Sequence, residues 1–226
     1  ILDNPLGNTA TTITFGAYDP GTAKHITIDA SSLDALDTAS FVIDASSVAA
    51  DATGASKKIT YTDGANAGKI TLGNNADTAT MGTGNDTVVG TAGANTISMG
   101  AGNDSVTAGT GAENITGGDG NDTINMAGNL TALDTIDGGA GTDTLVTSAA
   151  IASATILGGM SNVEVLSVTG ATTITLAANI SATTFNFAGT GNQVLNLNLG
   201  YTDSVTVILT GDGGGDSVQN SGVLKA

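Results

Sequence analysis

A nine-residue period runs through the middle of this 226-residue chain, and no other feature constrains its fold as strongly. Between Leu72 and Val146 the sixth place of each nonapeptide holds an acidic or amide residue. Asp77, Asp86, Asn95, Asp104, Glu113 and Asp122 follow at nine-residue intervals; three residues are inserted around Ala127–Ala132, and the period resumes at Asp134 and Asp143. Two places after each stands an apolar residue: Ala79, Val88, Ile97, Val106, Ile115, Ile124, Ile136 and Leu145. The best units have glycine in the second and fourth places, at Gly82 and Gly84, Gly100 and Gly102, Gly118 and Gly120, and Gly139 and Gly141.

The first six places of these units (M-G-T-G-N-D, M-G-A-G-N-D, G-G-D-G-N-D, G-G-A-G-T-D) are turn chemistry, with glycine free to take positive φ and Asp able to close the turn. The last three turn one apolar side chain inward and make a minimal strand. Two units form an 18-residue coil, and coils stack about 4.8 Å apart, as neighbouring strands do. A carboxylate recurring once per coil then forms a column along one edge. Two such charges about 5 Å apart, at an effective dielectric of about 20, repel by roughly 3 kcal/mol. A divalent cation between coils turns that repulsion into attraction. Carbonyls at the Gly-rich turns complete an all-oxygen shell that suits calcium. The alternative is a metal-free β-solenoid whose Asp and Asn residues only cap turns.

Alternate units fall on opposite edges. One edge carries Asp86, Asp104, Asp122 and Asp143, all with both glycines; the other carries Asp77, Asn95, Glu113 and Asp134 in poorer units. Calcium is expected between Asp86 and Asp104, Asp104 and Asp122, and Asp122 and Asp143, with fewer or weaker ions on the second edge. Met81, Met99 and Met126 share the first place of their units and are expected to pack as a stack.

The pattern resembles the G-G-x-G-x-D-x-U-x signature of the RTX (repeats-in-toxin) parallel β-roll. The stretch S-N-V-E-V-L-S-V-T-G-A at 161–171, directly after G-G-A-G-T-D-T-L-V, resembles calcium-dependent bacterial surface-layer proteins of the RTX type. That resemblance implies type I secretion, folding on external calcium, and a cell-surface lattice in which the partners are copies of the same chain. Cell-surface polysaccharide would be met through a region outside this segment.

The expected fold class is all-β: a parallel β-roll at 72–146, with further β-solenoid or sheet segments at 1–71 and 147–226. The N-terminal segment alternates in T-T-I-T-F, H-I-T-I-D-A, S-F-V-I-D-A, K-K-I-T-Y and G-K-I-T-L. I-D-A-S-S-L at 28–33 recurs as I-D-A-S-S-V at 43–48, as successive solenoid rungs or paired sandwich strands would. The C-terminal segment alternates in A-T-I-L, V-E-V-L-S-V, T-T-I-T-L, T-F-N-F, V-L-N-L-N-L and S-V-T-V-I-L. Short helical turns fit only 31–37 and 147–153. Gly211–Val218 looks like one more unit, with Asp216 in the ligand place and Asp where the second glycine belongs.

Composition narrows the function. Five Lys+Arg against 21 Asp+Glu give a formal charge of -16, which repels phosphate backbones and makes nucleic acid a poor partner. The absence of cysteine excludes thiol catalysis, disulfides and thiolate metal sites. The single histidine, His25, sits on an alternating strand as a surface or edge residue, and no catalytic motif occurs, so no enzymatic activity is expected. No apolar run is long enough to span a membrane. The first residues lack an initiator Met and a signal peptide, so the chain reads as a segment of a longer protein. The reading is a structural segment of a secreted surface-layer protein. The alternatives are a segment of an RTX adhesin or toxin, or an accessory module of a secreted polysaccharide-modifying enzyme or protease.

Overall fold

A computed structural model describes residues 11–14, 25–31, 41–48, 58–149, 151, 157–170, 173–176, 182–188, 194–197, 206–209 and 217–220. Odd-numbered strands form one ten-stranded sheet. These are β1 (Thr11–Thr14), β3 (Phe41–Asp44), β5 (Gly68–Thr71), β7 (Thr87–Val89), β9 (Ser105–Thr107), β11 (Thr123–Ala127), β13 (Thr144–Thr147), β15 (Val165–Val168), β17 (Thr184–Phe187) and β19 (Thr206–Leu209). Seven even-numbered strands form a second sheet: β2 (Ile26–Asp29), β4 (Ile59–Thr62), β6 (Thr78–Thr80), β8 (Thr96–Ala101), β10 (Asn114–Asp119), β12 (Thr135–Ala140) and β14 (Met160–Ser161). A third sheet holds β16 (Thr173–Leu176), β18 (Val194–Leu197) and β20 (Ser217–Asn220).

Strand pairing among the described residues is parallel throughout, because consecutive strands belong to different sheets and the chain returns to each sheet one coil on. The period sets the register. Thr87 lies opposite Ser105 and Thr96 opposite Asn114, each 18 residues on. The insertion lengthens the coil to 21, so Asn114 lies opposite Thr135 and Thr123 opposite Thr144. It leaves as a bulge between Asn125 and Ala127, tucks Leu130 inside and leaves Leu133 75% exposed. Nearer the N-terminus the coils are longer: Thr11 pairs with Phe41 and Ile26 with Ile59. The protein is thus an all-β parallel solenoid, as a β-roll requires.

The eight apolar residues two places after the acidic column are all buried. They join a single hydrophobic cluster that runs from Ala30 to Leu195. The alternation that makes the strands also makes this core: β4 and β13 turn every second residue inward. The methionine stack is only partly as expected. All three methionines are buried, but Met81 and Met99 are one coil apart on the seven-stranded side, whereas Met126 lies in β11 of the other sheet. An odd number of units separates it from the other two.

The I-D-A-S-S repeat resolves as solenoid corners. β2 and β3 belong to different sheets and do not pair. At each corner the aspartate caps its own turn: Asp29 Oδ1 accepts from Ser31 N at 3.0 Å and Oγ at 2.6 Å, and Asp44 Oδ1 from Ser46 N at 3.1 Å and Oγ at 2.6 Å. His25 is exposed. Of the two helical candidates, 31–37 lies outside the described residues beyond Ser31, and Thr147 closes strand β13 instead of opening a helix. Residues 211–216, Asp216 included, lie outside the described residues.

Candidate metal centre

The first edge is the set of turns that lead from the seven-stranded sheet into the ten-stranded one. Asp86, Asp104, Asp122 and Asp143 each stand immediately before a strand, β7, β9, β11 and β13, whose parallel register stacks them one above another. All four are buried, with relative exposures of 0–3%. One oxygen of each carboxylate is fixed by the coil before it. Asp86 Oδ1 accepts from Gly68 N at 2.6 Å, Asp104 Oδ1 from Asp86 N at 2.7 Å, Asp122 Oδ1 from Asp104 N at 2.8 Å and Asp143 Oδ1 from Asp122 N at 2.8 Å. The second oxygen of each, Oδ2, is buried and has no hydrogen-bond partner. A carboxylate oxygen left this way costs about 1–3 kcal/mol, and more when charged.

Backbone oxygens converge on two of these places, at Asp122 and Asp143. A Cβ added at Gly117 would stand 2.3 Å from Asp122 Oδ2 and 2.3 Å from the Gly138 carbonyl oxygen. One added at Gly138 would stand 2.7 Å from Asp143 Oδ2 and 1.9 Å from the Asn162 carbonyl oxygen. The glycines of the repeat permit this approach. Gly102 has φ +140, and a Cβ there would lie 1.8 Å from the Gly84 carbonyl oxygen; Gly120 and Gly141 repeat that contact one coil on. The second-place glycines stack likewise, with Gly100 against Gly82, Gly118 against Gly100 and Gly139 against Gly118. Only a chain without side chains at these places lets the coils close to sheet spacing.

The second edge uses its oxygens differently. Asp77 accepts from Ile59 N (2.7 Å) through Oδ1 and from Gly73 N (3.0 Å) through Oδ2. Asn95 Oδ1 accepts from Asp77 N (3.0 Å), while its amide donates to Glu113 Oε1 (3.3 Å). Glu113 Oε2 accepts from Asn95 N (3.2 Å). Asp134 Oδ1 accepts from Glu113 N (2.8 Å), and its Oδ2 takes Thr131 N (2.7 Å) and Thr131 Oγ1 (3.2 Å), both from the inserted residues. No oxygen of these four side chains is left buried without a partner.

Burial raises the carboxyl pKa values of the first edge, to about 7 at Asp86 and about 6 at Asp104. Asp122 and Asp143 are raised for the same reason. Neighbouring charges add to it: Asp63 and Asp104 act on Asp86, and Asp122 acts on Asp104. Burial also raises Asp77, to about 6, and Glu113. The I-D-A-S-S corners behave oppositely, since the seryl donors lower the pKa of Asp29 and Asp44.

The orphaned oxygens fit a hard cation. Among the described residues no three carboxylate or imidazole groups converge, so side chains supply a minority of ligands and carbonyl oxygens or water the rest, as calcium accepts.

Three features escaped the reading of the sequence. Asn85, Asn103 and Asn121 form a ladder beside the aspartates, each Oδ1 accepting at 2.8 Å from the backbone N of the next coil, at Asn103, Asn121 and Thr142. The N-D dipeptide carries this signal, because the second edge has Ala76, Ala94, Ala112 and Leu133 in that place. Glu164 continues the column: its Oε2 accepts from Asp143 N at 2.8 Å. A second 21-residue coil puts it out of phase, although Asn162, at φ +50, stands where the fourth-place glycine would. Asp63 is the third: its carboxylate enters the place that a side chain at Gly68 would take.

Residues 80–112, 107–125 and 133–149 match the family model of the RTX calcium-binding nonapeptide repeat (4 copies). No curated protein and no solved structure matches the chain. The roll therefore carries RTX calcium-binding repeats, a structural calcium-binding module typical of secreted proteins. Among the described residues no helix is long and apolar enough to cross a membrane.

Proposed function

We propose that the first edge holds calcium in the three spaces between Asp86 and Asp143, and that the chain is a segment of a secreted surface-layer protein which calcium locks into shape. The row of buried Oδ2 atoms without partners carries the calcium reading. Bound calcium supplies two positive charges between like-charged coils. The residues do the rest: backbone N–H groups hold each Oδ1, and over Gly117 and Gly138 the carbonyl oxygens of Gly138 and Asn162 approach the places held by Asp122 Oδ2 and Asp143 Oδ2. Without the cation the acidic turns repel, so binding free energy becomes folding free energy.

The surface-layer reading is supported by the Thr/Ala-rich, Lys-poor strands that continue the roll on both sides, and by the S-N-V-E-V-L-S-V-T-G-A stretch. Its partners are copies of the chain itself, with cell-surface polysaccharide met outside this segment. Electron microscopy of the calcium-loaded chain tests it. Two-dimensional arrays that dissolve in chelator are the expected result. Discrete particles at every calcium concentration would favour an adhesin, a toxin or an enzyme's accessory module instead.

A further inference from the structure

At the N-terminal end of the first-edge column the repeat is inverted. Residues 63–71, D-G-A-N-A-G-K-I-T, occupy one nonapeptide frame, but the sixth place is Gly68 and the carboxylate stands in the first, at Asp63. Gly68 still performs the backbone role of that place, donating its N–H to Asp86 Oδ1 at 2.6 Å. The side chain missing from it is replaced in space, because a Cβ added at Gly68 would stand 1.7 Å from Asp63 Oδ2. Units lower in the column show the converse. Gly117 and Gly138 hold the first place, and the carboxylates of Asp122 and Asp143 lean over them. The same volume is therefore entered from either end of the turn.

Two further observations point to a ligand there. Asp63 is 7% exposed, its Oδ1 accepts from Gly64 N at 2.9 Å, and its Oδ2 is buried without a partner, as in the four consensus aspartates. Tyr61 is wholly buried, and its hydroxyl faces Asp63 closely enough for the two groups to shift each other's pKa without completing a hydrogen bond. Burial raises the pKa of this phenol, and the charges of Asp63 and, less, Asp86 raise it further. Asp63, Gly68 and Tyr61 all lie outside the residues that match the repeat family.

We infer that Asp63 and Asp86 bracket an additional calcium site at the N-terminal end of the column, with the Tyr61 hydroxyl at its wall and Asp63 replacing the sixth-place aspartate that Gly68 has displaced. This rests on the calcium reading of the first edge and extends it by one coil beyond the consensus repeats. The site stands at the end of the ladder where the roll meets its longer N-terminal coils.

Tyrosine at the wall gives the site its own readout, since the chain has no Trp and only three Tyr. The 226-residue chain is loaded with terbium, excited through tyrosine, and in parallel dialysed against calcium to count bound ions. The wild type is expected to show sensitised emission that calcium displaces. Tyr61→Phe is expected to lose most of that emission and keep the ion count. Asp63→Asn is expected to lose the emission and one bound ion, whereas Asp122→Asn keeps the emission. The double variant Asp63→Gly with Gly68→Asp moves the carboxylate back to the consensus place and is expected to restore both, which also decides the matter if Asp63→Asn fails to fold. An unchanged ion count and emission in Asp63→Asn, or a double variant that stays one ion short, overturns this site alone. A wild type that binds neither ion overturns the calcium reading with it.

Discussion

On one edge of the roll Asp86, Asp104, Asp122 and Asp143 each keep one buried oxygen without a hydrogen bond, while across the core Asp77, Glu113 and Asp134 give their oxygens to protein donors. Both edges descend from the same nine-residue period, and both columns are buried. The period alone therefore does not make a cation site. What separates the edges is the donor supply. The second edge adds an asparagine amide beside Glu113 and a threonine beside Asp134; the first has one hydrogen-bonded backbone N–H on each Oδ1, with Gly82 N also acting on Asp86, and beside Asp122 and Asp143 it fills the remaining space with glycine and carbonyl oxygen. A carboxylate held by one oxygen, with the other dry and unmatched, is poised for a cation.

The largest effect is expected from closing the space itself. Gly102→Ala puts a side chain at φ +140 and within 1.8 Å of the Gly84 carbonyl oxygen. It should destabilise the calcium-loaded chain by about 2–5 kcal/mol. Gly128→Ala, whose nearest neighbour would be Ser148 Oγ at 3.7 Å, is the control, and urea unfolding of both variants in saturating calcium reads the difference.

Next comes the charge. Asp104 stands between Asp86 and Asp122 and is shared by two spaces. Asp104→Asn keeps an oxygen for Asp86 N and removes the charge, so the calcium midpoint should rise about tenfold or more, each factor of ten being about 1.4 kcal/mol. Glu113→Gln on the opposite edge should leave that midpoint unchanged. Equal shifts in the two titrations would erase the distinction between the edges.

A smaller loss tests the second edge from within. Asn95→Asp removes the amide that donates to Glu113 and puts a like charge beside it. In saturating calcium it should cost about 1 kcal/mol in urea unfolding, without recruiting an ion. Extra bound calcium in dialysis would show that the second edge lacked only a carboxylate.

The pH dependence is the mildest effect, and its sign follows from the raised carboxyl pKa values. Asp86 and Asp104 bind protons more tightly in the folded chain, at about 7 and about 6, than at their ordinary 3.8. The calcium-free fold should thus be most stable below about pH 4 and lose that advantage as pH rises toward about 7. Calcium affinity should run the other way and weaken as pH falls from about 7 toward about 5, because protons compete for the same oxygens. Thermal unfolding in chelator and calcium titration across that range check the two slopes.

Much of this was legible in the sequence, because the period that makes the fold also names its core. Val88, Val106, Ile124 and Leu145 are buried where their spacing puts them, and alternate units do fall on opposite edges. The rest was hidden by departures from that period. Asp63 is displaced five places from the ligand position, and only its approach to Gly68 reveals the substitution. Glu164 follows a coil of 21 residues and so leaves the nine-residue frame. Thr131 satisfies Asp134 from within an insertion whose path no spacing rule supplies. Met126 sits in the other sheet because parity, not distance along the chain, decides the side.

The most direct test strips the chain with chelator and titrates calcium while far-UV circular dichroism and scattering follow the same sample. The expected result is a cooperative gain of β-structure with compaction at about 10⁻⁴–10⁻³ M calcium, which magnesium does not produce. A chain already folded in chelator and indifferent to calcium would contradict the account, since the orphaned oxygens of the first edge would then be turn caps and nothing more.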